Sequence, residues 1–301
     1  MAGEMALEYN EYILSRVGCK VQKLSINAGS NCPNRDGTIG IGGCAFCNNE
    51  SFNPSYCSPN KSIAQQITEG KAFFRKKYPE MKYLAYFQSY TNTYGDTHQL
   101  VSKYEEALSQ EDVVGLVIGT RPDCLKDDML EALRLLASRT YLCVELGAES
   151  IYDATLRRIN RGHTWGVTQE SVCRLSECGV DVGLHFIMGL PGESVDMQLR
   201  VADAVNALPV QLVKLHQLQI VRGSLFASQY EREELHDLRL WEVDEYIDFC
   251  VEFLSRLRND IVVERFTSQA PSDMVVAPRW GLKNYEFTNR LRNEMKRRDR
   301  S

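Results

Sequence analysis

Residues 31–48 read Asn-Cys-Pro-Asn-Arg-Asp-Gly-Thr-Ile-Gly-Ile-Gly-Gly-Cys-Ala-Phe-Cys-Asn, a glycine-rich stretch that contains Cys32, Cys44 and Cys47. Three thiolates are sufficient to hold a four-iron, four-sulfur cube. Iron–sulfur clusters ordinarily have four cysteine ligands, and a fourth is not obvious near this stretch. The shortfall indicates that one iron has no protein ligand and that a small molecule completes its coordination.

Two other interpretations of the cysteine stretch stay open at this point. A zinc ion takes four ligands in a closed tetrahedron, and Cys19 or Cys57 offers a fourth thiolate. A dithiol redox pair at Cys44 and Cys47 is a weaker alternative. Such pairs usually open a helix whose N-terminus lowers the thiol pKa, whereas the asparagines and prolines that follow Cys47 indicate a loop.

The bulk composition is that of a globular protein with a substantial core. The chain has 301 residues, of which 44% are hydrophobic, enough for one large domain or two modest ones. Its first residues lack a basic region followed by an apolar one, and no stretch approaches the roughly 20 consecutive apolar residues of a membrane span. We therefore expect a cytoplasmic protein that does not enter a membrane.

Cysteine is frequent in this chain, with ten residues in all. In the cytoplasm these thiols are expected to be reduced, so they are ligands or core residues rather than a disulfide framework. Cys143 and Cys250 lie in apolar runs, where free cysteine packs as a small hydrophobic residue. We expect these two to be structural.

The formal net charge of −5 argues against a generally basic nucleic-acid binder. Residues 279–301, however, contain eight Lys or Arg against three Asp or Glu, a net of +5, which leaves −10 for the rest of the chain. This basic segment either contacts phosphates or forms the solvated end of a helix. Its clustered cations are Arg290, Arg292, Lys296, Arg297, Arg298 and Arg300.

Short apolar runs alternate with longer amphipathic stretches, which is typical of βα units around a parallel sheet. Six βα repeats are fewer than the eight of a closed TIM barrel, so we predict an α/β fold with a partial (β/α)6 TIM-type barrel and a C-terminal extension. A doubly wound sheet would show the same alternation and stays open. The strands are predicted at 21–27, 82–88, 113–119, 140–146, 181–188 and 211–220, and the helices at 61–78, 97–110, 126–138, 151–160, 166–178 and 193–207.

The last part of the chain continues the pattern with a helical stretch near 240–258, a further candidate strand at 261–266 and a helix beyond residue 282. No low-complexity linker or internal repeat separates these parts. We divide the chain into a core of residues 1–258, which includes the cysteine loop of residues 31–57, and a C-terminal extension of residues 259–301 with the basic tail.

Polar motifs recur where the predicted strands end, which is where (β/α) barrels place their working residues. This placement favours the barrel over the doubly wound sheet. Each motif also has a plain structural interpretation as a βα turn, a helix cap or a satisfied core residue. The residues concerned are Gln88 and Ser89 after the second strand, Arg121 and Asp123 after the third, Glu149 and Ser150 after the fourth, Gly189 after the fifth and His216 in the sixth.

The chain resembles the radical S-adenosylmethionine superfamily, whose members hold a cluster with a C-x(n)-C-x2-C loop and an aromatic residue before the last cysteine. Phe46 occupies the aromatic position. The eleven residues between Cys32 and Cys44 make the spacing similar to that of the YhcC/YtqA-like branch, which is related to the catalytic subunit of Elongator. The string Thr-Arg-Pro-Asp at residues 120–123 resembles the same string of Elongator-type enzymes.

This resemblance implies two cofactors, a [4Fe-4S] cluster and S-adenosylmethionine. The cluster ligands implied are Cys32, Cys44 and Cys47. The usual Gly-Gly-Glu after the second strand is absent here, where Gln88 and Ser89 stand. The residues implied for binding S-adenosylmethionine are Gln88 and Ser89 at its amino end, Glu149 and Ser150 at the ribose, Arg161 at the carboxylate, Gly189 against the adenine, and, without an assigned part of the cofactor, Phe46 and His216.

The resemblance also implies an activity. One electron from a flavodoxin-like or ferredoxin-like partner would cleave S-adenosylmethionine, and the 5′-deoxyadenosyl radical would abstract hydrogen from the substrate, chemistry that belongs to the cofactor. The substrate implied is the side chain on carbon 5 of a wobble uridine in tRNA. An acetyltransferase domain is expected to be absent, so the expected reaction converts a carboxymethylaminomethyl group to aminomethyl.

Two alternatives to this activity stay open. The first is a radical enzyme that acts on a small metabolite or a protein, with the basic tail merely solvated. The second is a non-enzymatic module that binds zinc or a cluster and contacts a partner through residues 279–301. The sequence identifies no catalytic residue of the protein itself.

Overall fold

A parallel sheet of seven strands is the main element of the computed structural model, which describes residues 8–49, 53–75 and 80–299. Its strands lie side by side in the order β1-β2-β3-β4-β5-β6-β8, and a short antiparallel pair, β7 and β9, lies apart from it. The strands are β1 (Val21–Ile26), β2 (Lys82–Phe87), β3 (Val113–Thr120), β4 (Tyr141–Glu149), β5 (Asp181–Met188), β6 (Leu212–Gln217), β7 (Ile220–Val221), β8 (Val262–Arg265) and β9 (Val275–Ala277).

Helices follow the strands and cover one face of the sheet. Several begin at a side chain that accepts from a backbone N–H of the first turn, as Asp96, Thr164 and Ser194 do, which satisfies donors that the helix itself leaves free. The helices are α1 (Tyr9–Val17), α2 (Ile63–Arg75), α3 (Thr97–Leu108), α4 (Asp127–Ala137), α5 (Asp153–Arg158), α6 (Trp165–Glu177), α7 (Val195–Asn206), α8 (Leu225–Glu231), α9 (Val243–Arg256) and α10 (Asn284–Arg298).

The two faces of the sheet differ because successive strand residues point to opposite sides. In β4, Leu142, Val144 and Leu146 belong to the large core beneath the helices, whereas Glu145 and Gly147 line the inner face. The main core therefore lies between the sheet and the helices, and the inner face is left for a cavity.

The sheet curls so that its first and last strands approach each other. Lys23 of β1 lies 2.7 Å from the carboxylate of Glu264 in β8, although the two strands are at opposite ends of the strand order. The two edge strands are not hydrogen-bonded to each other. The architecture is a partial barrel that side chains, rather than a backbone ladder, hold together across the gap.

Helix α1 closes the barrel at the amino ends of the strands. Ile13 is buried among inward-facing residues, which include Leu84 and Leu212. The hydroxyl of Tyr12 donates to Asp181 at 2.6 Å, and Arg16 forms an ion pair of 2.7 Å with the same carboxylate at the start of β5. Ile13 and the inward-facing residues close the amino ends of the strands with an apolar layer. The carboxyl ends of the strands are therefore the edge available for a functional site.

The predicted α/β partial barrel with a C-terminal extension is confirmed. The strand order contradicts the doubly wound alternative, because such a sheet reverses its strand order at a switch point and this one does not. The barrel has seven strands rather than six, since the candidate strand at 261–266 pairs with β6 as β8. The predicted strand 211–220 ends earlier, and Ile220 turns away to pair with β9.

The predicted helices form, most of them with shorter bounds, and the one predicted at 166–178 is shifted by one residue to Trp165–Glu177. The helix predicted at 61–78 runs into residues 76–78, which lie outside the described residues, and Arg300 of the basic tail lies there too. The division of the chain after residue 258 stays a prediction. None of the helices within the described ranges is long and apolar enough to cross a membrane.

Replacement of Ile13 by alanine tests the role of α1 as a closing element. Because Ile13 is 2% exposed, the substitution leaves a cavity, and we expect a loss of about 3 kcal/mol in the free energy of unfolding. Leu14→Ala is the matched control, since Leu14 is 43% exposed, with an expected change within about 0.5 kcal/mol. Urea unfolding measures both, and equal losses would contradict the placement of α1.

Candidate functional site

A cavity of about 400 Å³ lies on the inner face of the sheet at the carboxyl ends of the strands. All three cysteines of the glycine-rich loop line it, together with residues that end strands β2 to β6 and the loop after β8. This is the edge at which (β/α) barrels carry their sites. The cavity thus brings together residues that are up to about 240 positions apart in the sequence.

Backbone turns hold the cysteine loop in place. The carbonyl of Cys32 accepts from the N–H groups of Arg35 and Asp36 at 2.9 and 3.2 Å, and the N–H of Cys47 donates to the carbonyl of Cys44 at 3.0 Å. Across the loop, the N–H of Ala45 donates to the carbonyl at residue 159 at 2.9 Å. The loop is therefore fixed to the segment that follows α5.

The sulfur of Cys44 is surrounded by hydrogen-bond donors. The amide of Asn34 lies 3.5 Å from it and Nη1 of Arg161 lies 3.4 Å from it. Burial lowers the pKa of Arg161, but Cys44 and Glu149 raise it by more, so the guanidinium pKa lies above its ordinary value. The buried guanidinium therefore places a positive charge next to the sulfur of Cys44.

The geometry disfavours the zinc alternative. Among the described residues, no three His, Cys, Asp or Glu side chains are grouped closely enough to hold a single ion, whereas thiolates on separate irons of a cube lie farther apart. The thiol of Cys57 donates to the carbonyl of Ser25 at 2.8 Å, and burial raises its pKa to about 12. Cys19 precedes β1 and lies at the opposite end of that strand from the loop.

The dithiol alternative also finds little support in the described structure. Cys44 and Cys47 flank a turn at residues 45–46. Burial and the neighbouring Cys44 raise the pKa of Cys47. A redox pair needs the opposite shift.

Arg121 presents an unused donor beside the cysteine loop. Its Nε and Nη2 donate to the carboxylate of Asp123 at 2.9 and 2.7 Å, and Nη2 also donates to the carbonyl of Arg161 at 2.6 Å. Burial raises the pKa of Asp123, and Arg121 lowers it below its usual value. Nη1 of Arg121 is buried without a partner in the described part of the chain, which is costly unless a ligand accepts from it.

Five of the eight residues implied for the cofactor line the cavity. Ser25 donates to the side chain of Gln88 at 3.1 Å, and the carboxylate of Glu149 lies 3.5 Å from Arg161. Phe46 packs against a small apolar cluster at the rim of the cavity, which is the edge that carries the cysteine loop. The five lining residues are Phe46, Gln88, Glu149, Arg161 and His216.

Ser89 and Ser150 are not among the residues that line the cavity. Both are 1% exposed. Ser89 donates to the side chain of Asn53, and Ser150 donates to the carboxylate of Glu193 while it accepts from the backbone of Tyr152. These hydroxyls fix the loops after β2 and β4, and direct contact of either with a cofactor stays a prediction.

Gly189 also lies away from the cavity lining. It has a φ of 95°, and a Cβ there would lie 3.0 Å from the indole of Trp241. Its N–H donates to the side chain of Gln198 at 2.8 Å. In the structure, the planar ring next to Gly189 is the indole of Trp241. The expected contact of Gly189 with adenine stays a prediction.

A buried network of charges forms the floor of the cavity, and the sequence reasoning missed most of it. Glu145 accepts from Lys23 at 2.8 Å, from Lys214 at 2.7 Å and from His185 at 3.0 Å. Glu264 accepts from Lys23 at 2.7 Å and lies 3.1 Å from Lys214. Burial raises the pKa of Glu145, but the two lysines lower it well below its usual range.

Aromatic and basic side chains extend the floor towards β8. Lys214 lies over the ring of Tyr86 at 4.8 Å, and the rings of His185 and His216 are 5.4 Å apart. Burial, His185 and Arg265 together lower the pKa of His216 well below its usual value. The charged residues within the apolar strand runs at Glu145 and Lys214 are the sequence signal that would have indicated this floor.

The basic segment forms the exposed end of α10, where carboxylates pair with several of its cations. Arg292 lies 2.7 Å from Glu8, and both Arg297 and Arg298 contact Glu294 at 2.7 and 2.8 Å. Exposed pairs of this kind are weak and exchange readily with other anions. Contact of the segment with phosphates stays a prediction.

Comparison with known proteins finds matches along most of the chain. A model described as the Radical SAM superfamily matches residues 26–205, and one described as the Radical SAM C-terminal domain matches residues 210–297. Protein YtqA of Bacillus subtilis (strain 168) is 35% identical over 289 residues, 96% of this chain and 89% of that protein. Protein YhcC of Escherichia coli (strain K12) is 38% identical over 266 residues, 88% and 84% of the two chains.

Two further matches are more distant. A tRNA uridine(34) acetyltransferase of Methanocaldococcus infernus is 30% identical over 158 residues, 49% of this chain and 29% of that protein. Among solved structures, the archaeal Elp3 of the same organism aligns with a TM-score of 0.69 and 16% identity, over 93% of this chain and 63% of that chain. At this identity the structural match shows the fold alone.

Acid titration tests the packing around Arg161 through its neighbour His163. Nε of Arg161 donates to His163 at 3.0 Å, and burial followed by Arg161 lowers the pKa of His163 from 6.5 to about 4. The stabilisation from the neutral ring is therefore complete above about pH 6.5 and is lost as the pH falls towards about 4. Between pH 7.5 and pH 5 we expect a loss of about 2 kcal/mol from this group.

The matched variants are His163→Gln and His98→Gln, the latter at an exposed position. Urea unfolding at both pH values should show a weaker acid dependence for His163→Gln and an unchanged one for His98→Gln. The same acid dependence in all three proteins would contradict the buried neutral state of His163.

Proposed function

This chain belongs to the radical S-adenosylmethionine superfamily, and on that premise we propose that it remodels the side chain on carbon 5 of a tRNA wobble uridine. It is a radical S-adenosylmethionine enzyme, and its cofactors are a [4Fe-4S] cluster and S-adenosylmethionine. The resemblance to the YhcC/YtqA-like branch is confirmed by the relatives that match 96% and 88% of the chain.

The cluster ligands in this proposal are Cys32, Cys44 and Cys47. The residues present suit an iron–sulfur cluster, because the three thiols line one cavity and donors surround the sulfur of Cys44. Hydrogen bonds to the ligand sulfurs are among the levers that set a cluster's potential. Placement of all three cysteines in a single cavity is the observation that carries the proposal.

S-adenosylmethionine is assigned to the rim between the cysteine loop and the ends of the middle strands. Arg161 and the unpartnered Nη1 of Arg121 offer buried donors there for an anionic group, and a guanidinium suits a carboxylate. Gln88 and Glu149 line the same part of the wall. When bound, the cluster and S-adenosylmethionine would together supply one-electron reduction and hydrogen abstraction from the substrate, chemistry that belongs to these cofactors.

The chain's own contribution is to bind, orient and exclude water. Ile187 and Leu218 line the cavity and keep part of its wall apolar, while α1 closes the amino ends of the strands. A shielded chamber of this kind protects a reactive species from solvent and from competing donors. The charged floor holds the substrate against this wall.

The substrate assignment is supported by the relative named as a tRNA uridine(34) acetyltransferase, which matches half of this chain. We propose that the reaction converts a carboxymethylaminomethyl group to aminomethyl. Loss of one hydrogen atom to the cofactor and of one further electron to the oxidised cluster would turn the N–CH2 bond of the carboxymethyl group into an imine, and hydrolysis of that imine by water would release the two carbons as glyoxylate and leave the amine. The flavodoxin-like or ferredoxin-like electron donor and the cytoplasmic location stay predictions. A radical enzyme for a small metabolite or a protein is the alternative that the tRNA assay distinguishes.

Replacement of each proposed cluster ligand tests the cysteine assignment. Cys32→Ala, Cys44→Ala and Cys47→Ala should each abolish cluster assembly, because each removes the only protein ligand of one iron. Cys57→Ala is the matched control and should retain the cluster, since the thiol of Cys57 is committed to the backbone of Ser25. Iron and acid-labile sulfide are measured after anaerobic reconstitution, and full retention in one loop variant removes that cysteine from the site.

Direct conversion of tRNA tests the substrate. The reconstituted protein is incubated with S-adenosylmethionine, a strong reductant and tRNA that carries 5-carboxymethylaminomethyluridine, and the nucleosides are analysed by mass spectrometry. We expect loss of that nucleoside and an equal gain of 5-aminomethyluridine, with neither change in Cys47→Ala. Formation of 5′-deoxyadenosine with unaltered tRNA would reject the tRNA substrate and favour the small-molecule alternative.

A further inference from the structure

We propose that Arg265, at the β8 end of the cavity floor, binds a carboxylate of the substrate. This inference rests on the proposed function, since the carboxymethylaminomethyl group ends in a carboxylate. Arg265 lines the same cavity as the three cysteines. Nothing in the comparisons assigns this residue a role.

The charges on the floor do not balance within the protein. Lys23, Lys214 and Arg265 supply three cations, while Glu145 and Glu264 supply two carboxylates. Both carboxylates are already shared between the two lysines. Charges that are shielded from water are normally paired, because removal from water is costly. Arg265 is partly shielded, so we read the surplus cation as a site for an anion that enters from outside.

The unpaired cation is Arg265. Within the described residues it makes no hydrogen bond and no ion pair, although its side chain is only partly exposed. Its place is fixed by the backbone, since β8 pairs with β6 and brings Arg265 next to Lys214 in register. The guanidinium therefore stands at a defined position with its five N–H donors free for a ligand.

The surroundings of Arg265 favour an anion as well. Burial lowers the pKa of Lys214, and the charge of Arg265 lowers it further. Arg265 also contributes to the low pKa of His216. An anion bound between Lys214 and Arg265 would offset the repulsion between these two cations.

The shape of the donor group favours a carboxylate. A guanidinium presents two parallel N–H donors that match the two oxygens of a carboxylate. A cavity of about 400 Å³ suits one nucleoside side chain rather than a run of backbone phosphates.

The other carboxylate that could occupy this position belongs to S-adenosylmethionine. Arg161 and Arg121 lie beside the cysteine loop and offer donors to that group, whereas Arg265 lies on the last strand of the sheet. We therefore assign Arg265 to the substrate, and the experiment separates the two sources.

The experiment compares binding of an acid with that of its neutral isostere. Reconstituted protein with S-adenosylmethionine bound, and without reductant, is titrated calorimetrically with 5-carboxymethylaminomethyluridine and with the same nucleoside converted to the primary amide. The variants are Arg265→Gln and, as a matched control, Arg239→Gln, because Arg239 is 71% exposed. Affinity for S-adenosylmethionine is measured for every protein.

We expect the wild type and Arg239→Gln to bind the acid about tenfold to a hundredfold more tightly than the amide, as charge-assisted hydrogen bonds do. Arg265→Gln should bind the two nucleosides equally and retain its affinity for S-adenosylmethionine. The ratio of the two affinities is informative even if the variant is less stable, because misfolding lowers both together.

Three results would overturn the inference. These are an acid preference that survives in Arg265→Gln, the absence of a preference in the wild type, and a loss of affinity for S-adenosylmethionine in Arg265→Gln that matches the loss for the acid. The last result would assign the residue to the cofactor's carboxylate.

Failure of the proposed function is recognised separately, because the wild-type protein would then leave tRNA unaltered in the conversion assay. In that case the same comparison is made with N-methylglycine and its amide, which need no nucleoside site. A preference for the acid that disappears in Arg265→Gln keeps the carboxylate site, and equal binding by the wild type rejects it.

Discussion

The buried carboxylate of Glu145 is the interaction on which the inner side of this barrel depends. It accepts from Lys23 of β1, from His185 of β5 and from Lys214 of β6, so one side chain of β4 connects four strands across the interior. A buried charge that lost these partners would be costly, so the network favours the curl that brings these strands together. Glu264 extends the same network to β8 and brings the two edges together.

This floor divides the interior into two parts with different tasks. Below it, Ile13 and the inward-facing apolar residues seal the amino ends of the strands. Above it, the cavity runs up to the cysteine loop and to Arg161 at the rim. The rim supplies thiols and cationic donors for cofactors, whereas the floor supplies a polar surface for a substrate. The network of ion pairs in the floor therefore sets the distance between the cofactors at the rim and the substrate on the floor.

Local signals in the sequence predicted the strands, most helices and the cysteine loop. These features depend on residues near one another in the chain, such as the alternation in β4 or the spacing of Cys44 and Cys47. Most of the charged floor was missed because its partners are far apart in the sequence. Lys23 and Glu264 are separated by 241 positions, and Glu145 and Lys214 by 69. Cofactor contact of Ser150 and Gly189 stays a prediction from motif position. Motif position alone does not reveal their neighbours Glu193 and Trp241, which come from other parts of the chain.

The central claim is that one chamber holds cofactor and substrate together, and isotope transfer tests it most directly. Reconstituted protein is given S-adenosylmethionine, a reductant and tRNA whose carboxymethylaminomethyl group carries deuterium on carbon, and the 5′-deoxyadenosine formed is analysed by mass spectrometry. The account predicts deuterium in that product. Unlabelled 5′-deoxyadenosine, formed at the same rate with and without the tRNA, would contradict it.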